Sequence, residues 1–316
     1  MYCSMNNEKP LVAIHCLVYN HEPYLRDCFE GFVMQQTNFP FVAIVHDDAS
    51  TDNSAAIIRE YEAKYPHIFK PIYETENQFS KKNGSLERIM DEAIEATGAK
   101  YVAICEGDDY WTDPLKLQKQ VDFMEANSEY SMCFHKVNTL IQETGEIKNE
   151  FIVRDMPGKS TILDLAEGNY IHTPSVLYRR YSGIQEQYQK QYQKMMPCLP
   201  GDYVMWMLLA ERGDIYKFNE PMAVYRYGSG VWSNNNNINN FLHVIKTLSK
   251  LAAVVESSEV RRIVQVQINA MSNELSSEYE KVVMQLKQVQ SSRAYRLGKS
   301  ILKPINMIKK LFKKEK

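Results

Sequence analysis

Apolar residues along the first 135 positions alternate between two periods. Leu11–Val18 is a short apolar run with β-branched members, and Phe41–Val45, Phe69–Tyr73 and Tyr101–Cys105 repeat the pattern. Such runs predict buried strands. Between them the spacing lengthens to three or four residues. Leu25, Phe29, Phe32 and Val33 share one face of a helix over Tyr24–Gln36. Ala55, Ile58 and Tyr61 share a face of a second helix, which Ser50 and Thr51 are placed to cap and which runs to Tyr65. Ser85–Thr97 forms a third helix closed by Gly98, and a fourth starts at Pro114 and reaches Asn127. A βαβα order of this kind predicts a mostly parallel sheet covered by helices.

The pattern is less regular over 136–235. It predicts a turn at Met156–Lys159, a short helix Ile162–Glu167, a strand around Ser175–Tyr178 and an exposed helix Ile184–Lys194. A helix Asp202–Arg212 stopped by Gly213 and a strand Ala223–Tyr227 follow. Asn234–Asn240 is rich in asparagine and reads as a linker or cap. Phe241–Gln290 contains no Gly or Pro and is helical throughout. The expected organisation is an α/β domain over 1–235, a helical extension over 236–290 and a tail over 291–316.

The overall charge of -2 first suggests a neutral molecule, but its distribution does not. The tail 291–316 carries nine Lys or Arg against Glu315, a net of +8, which leaves -10 on the remaining residues. Leu297, Ile301, Ile305, Ile308 and Phe312 recur through that tail every three or four positions. This is the pattern of a helix lying on an anionic membrane surface, although a solvated basic helix has the same composition. Hydrophobic residues at 44% and charged residues at 24% exclude a disordered or fibrous chain. Nothing in the charge balance points to nucleic acid. The six cysteines form no CxxC and no zinc spacing, so they read as small buried thiols. The N-terminal MYCSMNNEKP has no apolar core, so no secretory leader is expected. No apolar window reaches the ~18 residues of a spanning helix.

Ligands of open parallel sheets sit at the carboxyl ends of the strands. The first strand ends in Tyr19-Asn20-His21, the second in His46-Asp47-Asp48-Ala49-Ser50-Thr51-Asp52, and the fourth in Glu106-Gly107-Asp108-Asp109-Tyr110-Trp111. No GxGxxG and no Walker lysine is present, which argues against a dinucleotide-binding dehydrogenase or a P-loop NTPase. Carboxylates gathered where phosphate would bind call for a cation. Asp108 and Asp109 are hard oxygen donors suited to Mg²⁺ or Mn²⁺ bridging to a diphosphate, or else a cap for the helix that opens near Pro114.

Leu11–Asn20, VHDDASTDNS ending at Ser54 and CEGDDYW over Cys105–Trp111 resemble the three opening motifs of family 2 glycosyltransferases. The resemblance is strong over about residues 10–135 and looser over 136–235. It implies a GT-A fold, an α/β architecture with a Rossmann-like, mostly parallel central sheet flanked by helices and here followed by the helical extension. It also implies inverting transfer from a nucleotide-diphosphate sugar, most often a UDP-sugar. By that resemblance Tyr19 stacks on the base, Asp48 bonds its edge, Asp108 meets the ribose or the metal, and Asp109 ligates the metal. Many members carry Asp where Glu106 stands, so Glu106 is assigned at most a supporting place. A basic residue near the nucleotide is common in the family. Arg88 and Lys82, in or beside the loop Glu76–Arg88, fit that place and also fit the surface of a helix.

An inverting transfer needs a carboxylate base. Asp202, in Pro200-Gly201-Asp202-Tyr203, resembles the family's base, though the usual Glu-Asp is Gly-Asp here; a helix cap is the alternative. His172-Thr173-Pro174-Ser175 resembles the stretch lining the sugar and acceptor pocket. Tyr225-Arg226-Tyr227-Gly228 with Gly230-Val231-Trp232-Ser233 resembles the closing loop. Arg226 is suited to neutralise a leaving diphosphate and Trp232 to support a sugar, or each to packing. There is no Gln-x-x-Arg-Trp of a processive synthase. The resulting expectation is a metal-dependent enzyme on the cytoplasmic face of the plasma membrane. It would extend a surface polysaccharide or a lipid-linked glycan, and it is open to homo-oligomer formation. A sugar nucleotidyltransferase and a non-catalytic scaffold are the alternatives.

Overall fold

The computed structural model describes residues 9–149, 156–181, 201–229 and 237–292. The N-terminal half follows the predicted alternation: β1 (Val12–Val18), α1 (Leu25–Val33), β2 (Phe41–Asp47), α2 (Ser54–Lys64), β3 (Phe69–Tyr73), α3 (Ser85–Thr97) and β4 (Tyr101–Ile104). Gly98 closes α3 in the left-handed region at φ 68°, which a side chain would resist. After β4 come β5 (Tyr110–Trp111), α4 (Lys116–Ala126), β6 (Tyr130–Ile141), β7 (Glu146–Asn149), β8 (Lys159–Ser160), α5 (Ile162–Ala166) and β9 (Leu177–Arg179). The described chain closes with α6 (Gly201–Ala210), β10 (Asp214–Tyr227), α7 (Asn237–Val254) and α8 (Ser258–Ser291).

One sheet runs through the molecule in the order β3-β2-β1-β4-β9-β6-β10-β5, with β7 on β6 and β8 on β10. Its first four strands are parallel. β9 is antiparallel to both β4 and β6, β10 is parallel to β6, and β5 is antiparallel to β10. Alternate side chains of β1 serve the two faces, as a two-residue period requires. Val12, Ile14, Cys16 and Val18 pack with Leu25 and Phe29 of α1, Ile58 of α2 and Leu117 of α4. Ala13 faces the other core, which holds Met90 of α3, Trp206 of α6, Leu248 of α7 and Val264 of α8. The helical extension thus shares a core with the sheet. Cys16, Cys28, Cys105 and Cys133 are buried free thiols in these layers. No helix among the described residues is long and apolar enough to cross a membrane.

Several boundaries differ from the periodicity. The second helix starts at Ser54 rather than near Ser50, because the preceding side chains tie two loops together: Ser50 Oγ accepts from Asn20 N–H at 3.0 Å, and Asp52 accepts from Glu22 N–H at 3.0 Å. β6 is a 12-residue strand that local pattern does not reveal, since buried Ser131, His135 and Thr139 interrupt its apolar run. Tertiary partners satisfy part of that polarity, as where Ser131 Oγ donates to Gly213 O at 3.1 Å. β10 extends back to Asp214 because it pairs along nearly all of β6. Asn237–Asn240 belong to a helix, not a linker. The long helical stretch is two helices, with Ser257 Oγ capping the second through Val260 N–H at 3.3 Å. The expected helix Ile184–Lys194 and all but the first residues of the tail lie outside the described residues.

Candidate active site

The ends of β1, β2 and β4 lie side by side, and their loops are laced together. Asn20 N–H donates to Ser50, while Asn20 Oδ1 accepts from Thr51 N–H at 2.8 Å. His21 N–H donates to Ser54 Oγ at 3.0 Å. Asn20 and Ala49 both hold positive φ, at 55° and 61°. Non-glycine residues pay for that backbone with strain, and paired strain at adjacent strand ends marks a constrained site. Tyr19 stands 46% exposed at the rim, so its ring is open to a ligand.

The carboxylates below it are buried and individually held. Asp48 Oδ1 accepts from Gln78 N–H at 2.6 Å and Oδ2 from Phe79 N–H at 3.1 Å, at the 3-10 turn Phe79–Lys81. Asp47 Oδ1 accepts from Ser50 N–H at 3.2 Å. Asp109 Oδ1 accepts from Arg226 N–H at 2.8 Å, and Asp108 Oδ2 accepts from Ser229 Oγ at 2.8 Å. Gly107 makes room for this turn. A Cβ there would stand 2.8 Å from His21 Nδ1 and 3.0 Å from both Leu25 and Val18. On the opposite wall Asp202 heads α6. Thr173 Oγ1 donates to its Oδ2 at 3.3 Å, and Tyr203 N–H to its Oδ1 at 2.7 Å.

Like charges confined together favour protonation. Burial, then Asp108 and Asp202, push Glu106 up to about 8. Burial, then Asp108, hold Asp109 well above the usual carboxylate range, against the Arg226 N–H bond. Burial raises Asp202 too, opposed by the bonds from Tyr203 and Thr173. Such a set of hard oxygens is electrostatically short of positive charge, which suits a divalent cation. Among the described residues no three His, Cys, Asp or Glu side chains gather as a self-sufficient metal cage. Ions of the Mg²⁺ type take one or two carboxylates and fill the rest of the shell with phosphate and water.

The Glycosyl transferase family 2 profile matches residues 14–194, more than half of the chain. The chain belongs to glycosyltransferase family 2. It is 38% identical over 222 residues to uncharacterized proteins of Mycobacterium tuberculosis and Mycobacterium bovis, across 70% of this chain. The match spans 60% of those relatives' length. TuaG of Bacillus subtilis, named as a teichuronic acid biosynthesis glycosyltransferase, is 28% identical over 73% of this chain and 84% of its own. Among solved structures, Staphylococcus aureus TarS with UDP-GlcNAc superposes with a TM-score of 0.58 at 14% identity, over 80% of this chain and 70% of that one. The mannosyltransferase PcManGT of Pyrobaculum calidifontis, solved with GDP-Man and Mn²⁺, does so at 0.56 and 14% identity over 98% and 89%. These likenesses establish the fold as GT-A.

In this family 2 chain the sequence-predicted residues do not all converge. Tyr19, Asp48, Asp108, Asp109, Thr173 and Asp202 occupy the strand-end loops and the wall facing them. Arg88 lies on the exposed face of α3, 4.0 Å from Glu92 one turn on. Arg226 is buried, but its guanidinium pairs with Asp27 and lies between the rings of Tyr24, at 5.0 Å, and Tyr110, at 4.9 Å. Its contact with the carboxylate cluster is through the backbone. Trp232 lies outside the described residues.

Other participants were not singled out by sequence. Tyr225 sits against His172, ring centroids 5.2 Å apart, and burial, then Asp109, Asp108, Glu106 and Asp202, push its phenol pKa upward. Ser229 gave no signal at all. Trp111 is a hub: its Nε1–H donates to Pro174 O at 2.9 Å, and Lys116 Nζ lies 4.1 Å from its ring centroid. Lys116 is wholly buried, donates to Gln120 Oε1 at 2.7 Å, and is pulled down to about 7 by burial. Gln120 Nε2 in turn donates to Ser175 O at 2.9 Å. Two polar residues four apart on the apolar face of α4 were the available sequence signal.

Proposed function

We propose that the chain is an inverting glycosyltransferase that moves a sugar from a nucleotide-diphosphate donor to a polysaccharide or lipid-linked glycan of the cell surface. The observation that carries the reading is the convergence of Asp108 and Asp109 with Asp202 across one cleft, close enough for Asp108 and Asp202 both to perturb Glu106. Tyr19 stacks on the base and Asp48 positions the loop at its edge. A UDP-sugar is the favoured donor, in line with the UDP and UDP-GlcNAc complexes of TarS. Mn²⁺ or Mg²⁺ held by Asp109, with Asp108 beside it, would supply positive charge to the departing diphosphate. Asp202 takes the proton from the acceptor hydroxyl. That oxygen then bonds to the anomeric carbon from the face opposite the diphosphate, and the bond to the diphosphate breaks. A raised pKa makes Asp202 a stronger proton acceptor once it is ionised. Arg226 holds the cluster through its N–H bond to Asp109 and its pairing with Asp27.

The name of TuaG, a teichuronic acid biosynthesis glycosyltransferase, supports a surface-glycan acceptor. The basic amphipathic spacing of 291–316 supports a place on the cytoplasmic membrane face, tested by co-sedimentation with anionic against neutral vesicles. The decisive experiment is a thermal-shift screen of UDP-sugars with and without Mn²⁺, followed by an assay of nucleoside-diphosphate release. A Mn²⁺-dependent shift with a UDP-sugar is expected, and Asp109→Ala should remove both the shift and the transfer. Near-normal turnover by Asp109→Ala would overturn the metal assignment, and pyrophosphate release from a nucleoside triphosphate would overturn the reaction class.

A further inference from the structure

Tyr225 stands between the two walls of the cleft. It lies near the end of β10, beside Thr139 of β6. Its strand neighbours are anchored to the wall of Asp108 and Asp109: Val224 pairs with Tyr110, and Arg226 N–H donates to Asp109 Oδ1 at 2.8 Å. Its ring leans onto His172, with centroids 5.2 Å and planes 41° apart. The residue after His172 is Thr173, whose hydroxyl bonds Asp202 on the opposite wall at 3.3 Å. The backbone of Tyr225 thus belongs to one wall and its ring to the other. Both walls act on the phenol: burial, then Asp109, Asp108, Glu106 and Asp202, disfavour its ionised form.

The fold makes no use of this hydroxyl. The phenols of Tyr61, Tyr73 and Tyr101 donate to the carboxylates of Glu30, Glu62 and Glu125, and that of Tyr203 to Leu165 O. Among the described residues no such partner engages Tyr225, yet its oxygen is not one of the sealed, unpartnered polar atoms of the interior. The side chain is half-buried, so the hydroxyl is left to the cleft. A phenol is protonated at neutral pH and can donate. The ionised carboxylates around it only accept. A sugar presents oxygens that require both kinds of partner.

We propose that the Tyr225 hydroxyl donates a hydrogen bond to an oxygen of the transferred sugar and so takes part in selecting the donor. This assignment rests on the catalytic reading above, in which the sugar lies between a diphosphate held near Asp108 and Asp109 and an acceptor hydroxyl at Asp202. A sugar that offers no oxygen at that place leaves the phenol unpaired, which is how a polar contact discriminates.

Isothermal titration of the full chain in Mn²⁺ with UDP, UDP-glucose, UDP-galactose, UDP-GlcNAc and UDP-GalNAc tests it. Tyr225→Phe keeps the ring against His172 and removes one oxygen, so it should melt with the wild type. It is expected to bind UDP within about twofold of the wild type while at least one UDP-sugar weakens by about tenfold. A merely structural role would not separate the two. Unchanged affinity for every UDP-sugar would overturn the contact, as would an equal weakening of UDP, which would move the hydroxyl to the nucleotide. A wild type that does not bind UDP would instead overturn the donor reading beneath it, a result seen without any variant.

Discussion

On one wall of the cleft, Asp48, Asp108 and Asp109 hang from short loops, and backbone N–H or hydroxyl groups engage each carboxylate. On the other wall Asp202 heads α6, a helix whose buried residues are Tyr203, Val204 and the run Trp206–Ala210. The first wall is fixed by polar lacing and the second by apolar packing. Lacing sets several oxygens relative to one another, as a diphosphate with its cation requires. A packed helix sets a single, partly buried carboxylate against the whole fold, where one incoming hydroxyl would meet it. The Trp111 hub joins the walls: it follows Asp109 in the chain and bonds the turn that carries Thr173, which bonds Asp202.

Separating the walls chemically should produce the largest effect. Asp202→Asn is expected to lower kcat by about 10²–10⁴-fold while nucleotide-diphosphate affinity stays within roughly twofold, because only the proton acceptor is lost. Equal losses in both would mean that the two walls do not divide the labour. Next in size, Gly107→Ala drives a methyl against His21, Leu25 and Val18. Overpacking of that kind costs about 1–3 kcal/mol, so a lowered melting temperature and weakened nucleotide binding should appear together. A variant melting like the wild type would show that the laced wall yields easily.

The hub contributes through Lys116. Its pKa falls from 10.5 to about 7 on folding, chiefly by burial. Between those values the unfolded chain holds the extra proton, so this group makes folding stability rise with pH, by at most about 1.4 kcal/mol per unit. Urea titrations from pH 7 to 9 should show a flatter stability profile for Lys116→Met than for the wild type. Parallel profiles would assign the slope elsewhere. The smallest effect is expected at Arg88, an exposed side chain that meets the exposed Glu92 at 4.0 Å. Arg88→Ala should change stability by less than about 0.5 kcal/mol and leave the KM for the donor unaltered. A several-fold rise in KM would bring Arg88 to the nucleotide and widen the laced wall to α3.

The parallel half of the sheet was legible because its signals are local. β-branched apolar runs, helical spacing and acids just beyond each strand all fall within a few residues of one another. The mixed half was not, because β6 buries Ser131, His135 and Thr139 among its apolar residues and β10 owes its length to pairing with β6. Arg226 shows the same limit at the site. Its charge and its place in a closing loop suggested a diphosphate contact, whereas packing turned the guanidinium toward Asp27, 199 positions earlier in the chain.

By itself the sequence determined the family, the strand-end acids and the candidate base, since periodicity and motif spacing are properties of neighbouring residues. The tertiary structure alone decided which oxygens are engaged, which carboxylates repel, and that Tyr225, Ser229 and the Trp111 hub belong beside them. The bond from Arg226 N–H to Asp109 spans 117 positions and exists only once β10 has closed against β5 and β6. Burial, the main source of the raised pKa values of Glu106, Asp109 and Asp202, likewise appears only when the sheet and its helices have excluded water from the floor of the cleft.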